Sequence, residues 1–172
     1  MHILAIVLNL INFLMTNSIE IKSKINKFNK KIRVSGDKSL SIRWVLFSSL
    51  ANGKSKAKNL LLSDDVLAAF NVIRKLGIKS KINIKECVIF GKGIDGYKYN
   101  NKLTLDAKNS GTLGRLILGL LINTPKLIRL IGDKSLSKRD FSRVTNPLKQ
   151  FGVNIKSTKN SLPLEIHGTE FL

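Results

Sequence analysis

Three short turns in the 172-residue sequence combine glycine, hydroxyl and cationic side chains at spacings suited to a small anion. Residues 36–43 read GDKSLSIR, residues 109–115 read NSGTLGR, and residues 132–139 read GDKSLSKR. Each turn ends on an arginine, whose planar guanidinium binds phosphate or carboxylate groups through paired hydrogen bonds. A helix that begins at such a turn adds its unpaired N–H groups to the same surface. The three turns therefore predict cradles for phosphate or carboxylate groups.

The residues of the three turns would contribute different chemical groups to their cradles. In the first turn Lys38 and Arg43 supply positive charge, and Ser39 supplies a hydroxyl. Ser39 and Arg43 are four residues apart, so a helix would carry both on one face. Gly111 would let a ligand approach the backbone closely, and Arg139 ends the third turn. Each turn alone is explained equally well by a capped helix with solvated cations, but three in one chain favour a binding site.

The hydrophobic pattern around the turns predicts alternating strands and helices. Helices are predicted from residue 39 to about residue 52 and over 63–76, 112–122 and 141–150. Strands are predicted over 31–34, 56–61, 78–84, 87–90, 102–105, 126–131, 153–157 and 162–166. The order β-α-β-α-β-β, begun again near residue 126, indicates an α/β (α+β) fold whose sheets are covered on one side by helices.

A sequence repeat supports this organisation. Residues 32–43 and 128–139 read IRVSGDKSLSIR and IRLIGDKSLSKR, which match at nine of twelve positions. The repeat favours a duplicated module with units that start near residues 32 and 128. No proline- or serine-rich linker separates the two copies, so we expect the units to pack together.

Other candidate residues are better explained by structural roles. Asp64 and Asp65 follow Ser63, a good N-cap, and acids in a first helical turn are favoured by the helix dipole. Cys87 lies in an apolar strand and is predicted to be core rather than a nucleophile. His167 has no partner nearby in sequence and is predicted to be structural or exposed.

Composition narrows the class of protein. The chain carries 30 Lys and Arg against 11 Asp and Glu, a net charge of +19, which predicts anionic partners. Most of the cations are lysines scattered singly, and aromatic residues make up only 6%. Both features argue against nucleic acid, although a basic RNA-binding module stays open as an alternative. One cysteine and two histidines exclude a disulfide framework and make a metal centre improbable.

The apolar run over residues 3–15 is too short to span a membrane, which takes about 20 residues. No basic residue precedes the run, and no small-residue cleavage site follows it. We therefore expect no membrane association, with Met15 as the true start and residues 1–14 as an apolar extension from a wrongly assigned start.

Five motifs, in this order, resemble those of the 5-enolpyruvylshikimate-3-phosphate synthase (3-phosphoshikimate 1-carboxyvinyltransferase) family. The resemblance runs from about Glu20 to Gly168 without a large gap. Ser110 stands where the family has alanine, and Asp140 stands where the family has proline after the arginine of the fourth motif. The matching motifs are GxKSxSxR at 36–43, LxSDD at 61–65, NxGTxxR at 109–115, GDxxLxxR at 132–139 and LPLxIxG at 162–168.

The resemblance implies the inverse α/β prism fold of enolpyruvyl transferases, built from β-α-β-α-β-β units and incomplete in this chain. It implies transfer of an enolpyruvyl group from phosphoenolpyruvate to the 5-hydroxyl of shikimate 3-phosphate, with release of phosphate. This is a cytoplasmic step of the shikimate pathway towards chorismate and aromatic amino acids, and it uses no metal or organic cofactor.

The resemblance also implies a role for each matched residue. Lys38, Ser39 and Arg43 would hold shikimate 3-phosphate, and Lys38 would act in catalysis by reaching phosphoenolpyruvate as well. The backbone at Gly111 and the guanidinium of Arg139 would hold phosphoenolpyruvate. Three further residues would line the site: Asn109, Thr112 and Arg115.

Members of the family are much longer than this chain, and their active site lies between two domains. We therefore expect a fragment, one part of a split enzyme or an inactive remnant, without activity alone and with a C-terminal half as the missing partner. A relative of the UDP-N-acetylglucosamine enolpyruvyl transferase is the nearest alternative, although that enzyme has Lys-Asn at the position of Lys38-Ser39.

Overall fold

The chain divides into two units, residues 1–33 and 34–172, and the fold described below is that of the second. The predictions about residues 1–14 and a start at Met15 lie outside the described residues. The computed structural model describes residues 22, 27, 29, 31–124 and 126–169.

Helices and strands alternate along the second unit, and this mixed α/β architecture confirms the predicted fold class. In chain order the elements are α1 (Lys38–Leu50), β1 (Asn52–Ala57), α2 (Asp64–Lys75), β2 (Lys79–Lys81), β3 (Cys87–Lys92), β4 (Leu103–Asp106), α3 (Gly111–Leu120), β5 (Ile128–Ile131), a 3₁₀ helix (Leu136–Lys138), α4 (Ser142–Gln150), β6 (Asn154–Thr158) and β7 (Ser161–His167).

The strands form two sheets. A three-stranded antiparallel sheet has the order β1-β3-β2, with Ala57 opposite Cys87 and Lys81 opposite Val88. A four-stranded sheet has the order β4-β5-β7-β6, in which β4 and β5 are parallel and the other pairs are antiparallel. Since a parallel pair needs a crossover, α3 connects β4 to β5 and begins at the edge where β4 ends.

The core is a continuous cluster of apolar side chains from the helices and one face of each sheet. Ile42 of α1, Phe70 of α2 and Ile117 of α3 are fully buried within it. Along β7 the residues alternate, with Leu164 buried and His167 exposed, as expected of a sheet with one covered face. Burial of each large side chain stabilises the fold by about 1.5–3 kcal/mol, so the helices that carry the predicted turns are firmly held.

Two predicted strands differ from the structure. The strand predicted over residues 31–34 is wrong, because these residues form no strand and are exposed. The strand predicted over 56–61 lies earlier, at β1, where its pairing with β3 ends at Ala57. Asn59 then adopts a left-handed backbone with φ of 59°, which turns the chain away from the sheet.

The third predicted turn does not begin a long helix. It opens only the 3₁₀ helix over Leu136–Lys138, and Arg139 is already extended, with φ −82° and ψ 145°. The N–H of Phe141 donates to the Asn160 carbonyl at 2.8 Å, and the Phe141 ring is fully buried, so the chain leaves the helical path there.

The two copies of the sequence repeat also occupy different positions in the order of helices and strands. The first copy leads directly into α1, whereas the second follows β5 and precedes α4. The series β4-α3-β5-α4-β6-β7 runs from Leu103 to His167, and the division into units that start near residues 32 and 128 stays a prediction.

Candidate anion-binding site

Two guanidinium groups converge on the first residue of α3. A Cβ atom built on Gly111 would lie 2.9 Å from Arg115 Nη1 and 3.0 Å from Arg139 Nη1. The two nitrogens therefore lie no farther apart than the sum of those distances. Ser110 caps the helix by accepting a hydrogen bond from the Leu113 N–H at 3.3 Å. Because Gly111 has no side chain, a small space stays open where the two guanidinium groups and the N-terminus of α3 meet.

Arg115 is restrained by contacts on its far side. Its Nη2 donates to the Asp140 carbonyl oxygen at 3.1 Å, and its Cζ lies 5.1 Å from the centroid of the Phe141 ring. A cation over an aromatic face is stabilised by the charge distribution of the ring. With Nη2 occupied, Nη1 is the nitrogen that faces Gly111. The family resemblance implied only a lining position for Arg115, but the structure brings it as close to Gly111 as Arg139.

Arg139 is held by Asn109, which is itself bonded to an acid that the sequence analysis did not single out. Its Nη2 donates to Asn109 Oδ1 at 3.3 Å, and Asn109 Nδ2 donates to Asp133 Oδ2 at 2.7 Å. The other carboxylate oxygen of Asp133 accepts from the Leu136 N–H at 2.7 Å. Asp133 lies within the third turn, but no pattern in the sequence linked it to Asn109.

In the first turn, Lys38 is paired with an acid. Asp37 caps α1 by accepting from the Leu40 N–H at 2.7 Å, so the helix begins at Lys38. Lys38 Nζ lies 2.9 Å from Asp65 Oδ2, with the lysine side chain 51% exposed and the aspartate side chain 17% exposed. Asp65 is in the first turn of α2, as predicted, and in addition it fixes the direction of Lys38.

Ser39 and Arg43 follow on α1. Ser39 is half-buried and Arg43 is exposed. Thr112 is half-buried in the first turn of α3. These side chains are accessible at the helix starts where the sequence predicts them to act.

A groove of about 500 Å³ lies beside these turns, and its polar lining consists of Asp64, Asp65, Asn71, Lys108, Asn109 and Asp133. Lys38 and Arg139 do not line this groove, but each contacts one residue that does, Asp65 and Asn109 respectively. Residues that are far apart in sequence are therefore brought to one surface. A separate cavity of about 470 Å³, lined in part by Tyr97 and Tyr99, contains none of the predicted site residues.

A second groove of about 580 Å³ is lined by Arg115, Arg139, Asp140 and Arg143. The pKa of Asp140 lies below its ordinary value, chiefly because the Ser142 hydroxyl donates to the carboxylate, with further help from the Ser142 N–H and the nearby arginines. The carboxylate of Asp140 is bonded to the start of α4 rather than to Arg139. Three arginines line this groove, and its one carboxylate is already hydrogen-bonded to Ser142, so the groove favours the binding of an anion.

Two further findings bear on the kind of site. Across residues 31–124 and 126–169, no three acidic, histidine or cysteine side chains converge as they would around a metal ion. In the same described part of the chain, no helix has the length and apolar character needed to cross a membrane. Cys87 is a free thiol in the core and His167 is exposed, as predicted.

Comparison with known proteins gives consistent results. The family model described as EPSP synthase (3-phosphoshikimate 1-carboxyvinyltransferase) matches residues 22–171. A 3-phosphoshikimate 1-carboxyvinyltransferase of Bacillus cereus (strain G9842) is 41% identical over 145 residues, which cover 83% of this chain and 34% of that protein. The enzyme of the same name from Bacillus velezensis is 40% identical over 149 residues, or 86% of this chain and 35% of that protein.

Solved structures agree with these relatives. An EPSP synthase structure from Acinetobacter baumannii is 34% identical, with a TM-score of 0.76 over 81% of this chain and 32% of that chain. A second structure of the Acinetobacter baumannii enzyme gives a TM-score of 0.75 over the same shares. The chain thus spans about a third of the length of the relatives it matches.

Proposed function

The chain belongs to the EPSP synthase family, and from that premise we propose that it takes part in transfer of an enolpyruvyl group from phosphoenolpyruvate to the 5-hydroxyl of shikimate 3-phosphate. The chain contributes the cationic turns of the N-terminal third. The remaining machinery corresponds to the other two thirds of the relatives. Since both substrates are charged phosphorylated metabolites that do not cross membranes unaided, the reaction is proposed to be cytoplasmic.

The observation that carries the proposal is the convergence of Arg115 Nη1 and Arg139 Nη1 over Gly111. Phosphoenolpyruvate carries a phosphate and a carboxylate, and each is a good acceptor for a guanidinium. The N-terminus of α3 adds unpaired N–H groups, which favour an anion at the same point. We therefore assign phosphoenolpyruvate to the surface formed by Gly111, Arg115 and Arg139.

Shikimate 3-phosphate is assigned to the first turn. The start of α1 offers N–H groups and the Ser39 hydroxyl, and Lys38 and Arg43 supply charge on the same stretch of helix. Lys38 contacts Asp65, which lines the same groove as Asn109, the residue that accepts from Arg139. This geometry supports a role for Lys38 near both substrates.

In the reaction, the 5-hydroxyl gives up its proton to a base as its oxygen bonds to C2 of phosphoenolpyruvate, and an acid adds a proton to C3. The tetrahedral adduct then loses a proton from that carbon as the C2–O bond to phosphate breaks, which restores the double bond and releases inorganic phosphate. Cations fixed before the reaction stabilise the charge on the phosphate and carboxylate groups, which is often a large catalytic contribution. The acid and base groups are assigned to the part of the enzyme beyond this chain.

The test is a phosphate-release assay with both substrates. The chain is combined with a polypeptide that corresponds to the remaining two thirds of the Bacillus cereus relative. Phosphate release should require both polypeptides and both substrates, and Lys38→Ala should abolish it. Equal release with Lys38→Ala would refute the assignment, and activity only with UDP-N-acetylglucosamine as acceptor would favour the sister enzyme.

A further inference from the structure

Behind Arg139, a chain of hydrogen bonds leads away from the proposed anion site. The guanidinium donates to Asn109 Oδ1 at 3.3 Å, and Asn109 Nδ2 donates to Asp133 Oδ2 at 2.7 Å. Asp133 is itself anchored, because its Oδ1 accepts from the Leu136 N–H at 2.7 Å and its N–H donates to the Lys108 carbonyl at 2.8 Å. This relay of Asp133, Asn109 and Arg139 therefore starts from an anchored carboxylate and ends at the long side chain of an arginine.

The chemistry of the three groups allows only one orientation of the central amide. A guanidinium can only donate hydrogen bonds, and an ionised carboxylate can only accept them. An asparagine between the two satisfies both only when its oxygen faces Arg139 and its nitrogen faces Asp133. The carboxylate of Asp133 thus determines which atom of Asn109 is presented to Arg139.

We propose that Asp133 and Asn109 are positioning residues that direct Arg139 Nη1 towards the anion over Gly111, an inference that rests on the function proposed above. Arg139 Nη2 is occupied by Asn109, while Nη1 lies 3.0 Å from the position of a Gly111 Cβ. This role is exerted on Arg139 and requires no contact of either residue with the substrate. Both residues act by limiting the rotation of a guanidinium that would otherwise sample many directions.

For the Asp133→Asn variant, the proposal predicts weaker anion binding, whereas simple electrostatics predicts stronger binding. Asp133→Asn removes a negative charge near an anion site, and charge alone would then strengthen anion binding. However, the new amide would cap Leu136 through its oxygen and turn its nitrogen towards Asn109. Asn109 would have to present its own oxygen to that nitrogen, which leaves no acceptor for Arg139.

The first experiment titrates the 172-residue chain with phosphoenolpyruvate and compares Asp133→Asn with wild type. The proposal predicts binding that is weaker by about tenfold, the order expected when one charge-assisted hydrogen bond loses its geometry. The matched control is Asp64→Asn, which removes the same charge from the same groove without belonging to the relay. The control should bind equally or slightly more tightly, and equal or tighter binding by Asp133→Asn would overturn the proposal.

A double-variant comparison separates positioning from a general structural effect. In an Arg139→Ala background, Asp133→Asn should no longer weaken binding, because the residue through which it acts is gone. A loss of the same size in both backgrounds would contradict the relay. Asn109→Ala, which leaves the Asp133 cap on Leu136 in place, should reproduce the loss seen with Asp133→Asn.

Nitrogen-15 NMR of the arginine side chains tests the relay without any ligand. Slow rotation of the Arg139 guanidinium in wild type should become fast in both Asp133→Asn and Asn109→Ala, and unchanged rotation in the folded variants would overturn the proposal. Failure of the wild-type chain to bind phosphoenolpyruvate would instead count against the proposed function. The Arg139 signals would still show whether Asp133 and Asn109 restrain the guanidinium.

Discussion

Replacement of Gly111 by alanine should separate anion binding from stability. The added Cβ would lie 2.9 Å from Arg115 Nη1 and 3.0 Å from Arg139 Nη1, closer than ordinary van der Waals contact. Both obstructing atoms are the ends of flexible side chains, so each can move by a few tenths of an ångström. The methyl group would then occupy the space in which the two guanidinium groups meet.

The substitution should weaken phosphoenolpyruvate binding without lowering the stability of the fold. Gly111 begins α3, so alanine there should leave the free energy of unfolding unchanged or raise it by up to about 1 kcal/mol. A hydrogen bond to a charged group contributes about 1.5–3 kcal/mol, and displacement of two such donors should weaken binding by at least that amount. We therefore expect the Kd for phosphoenolpyruvate to rise by roughly ten- to a hundredfold.

The assay pairs NMR titration with urea denaturation, and Gly119→Ala is the matched control. Gly119 lies in the same helix, and a Cβ there would meet nothing within 4 Å. The control should raise the free energy of unfolding by about 0.5–1 kcal/mol without changing the Kd. Wild-type affinity in Gly111→Ala would refute the assignment of phosphoenolpyruvate to this surface.

Three other perturbations test further parts of the account. Lys38→Met should weaken shikimate 3-phosphate binding in an NMR titration by about tenfold, whereas Lys56→Met, an equally exposed lysine paired with an acid, should have no effect. Phe70→Ala should lower the free energy of unfolding by about 3–5 kcal/mol in urea denaturation, because its ring is fully buried. Because the pKa of Asp140 is lowered in the folded chain, its contribution to stability should be present above the ordinary value of 3.8 and lost as pH falls through the lowered value. Ser142→Ala should raise the pKa of Asp140 in a carbon-13 NMR pH titration, and an unchanged value would contradict the assigned cause.

The elements that carry the first two turns could be predicted because their signals are local. Asp37 and Ser110 cap helices through bonds to N–H groups three residues ahead, a spacing that is visible in sequence. The same rule was less reliable at Ser63, which occupies the N-cap position of α2 without a side-chain capping bond. Cap position follows from sequence, whereas the rotamer that makes the bond depends on packing.

The third turn shows where local similarity fails. Its sequence is nearly the same as that of the first turn, but the residues that follow it differ. The first copy continues with Val45 and Leu46 at helical spacing, and both are buried. The second continues with Phe141, whose N–H pairs with a distant carbonyl on the loop before β7. A tertiary contact therefore ends the helix after one turn.

The relay behind Arg139 could not be predicted for a related reason. Asn109 and Asp133 are 24 residues apart in sequence, and they meet only because β4 and β5 are adjacent and parallel. The pairing of Lys38 with Asp65 likewise depends on how α1 packs against α2. Sequence motifs identified the groups that could bind anions but not the acids that orient them.

The most direct test of the central claim is to map both ligands on the isotopically labelled chain by amide NMR. Shikimate 3-phosphate should shift signals of residues 36–43, and phosphoenolpyruvate should shift those of 109–115 together with Arg139. Both sets of shifts should shrink as salt screens the cationic turns. Shifts confined to other surfaces, no shifts at millimolar ligand concentration, or the same shifts with an RNA oligonucleotide alone would contradict the account.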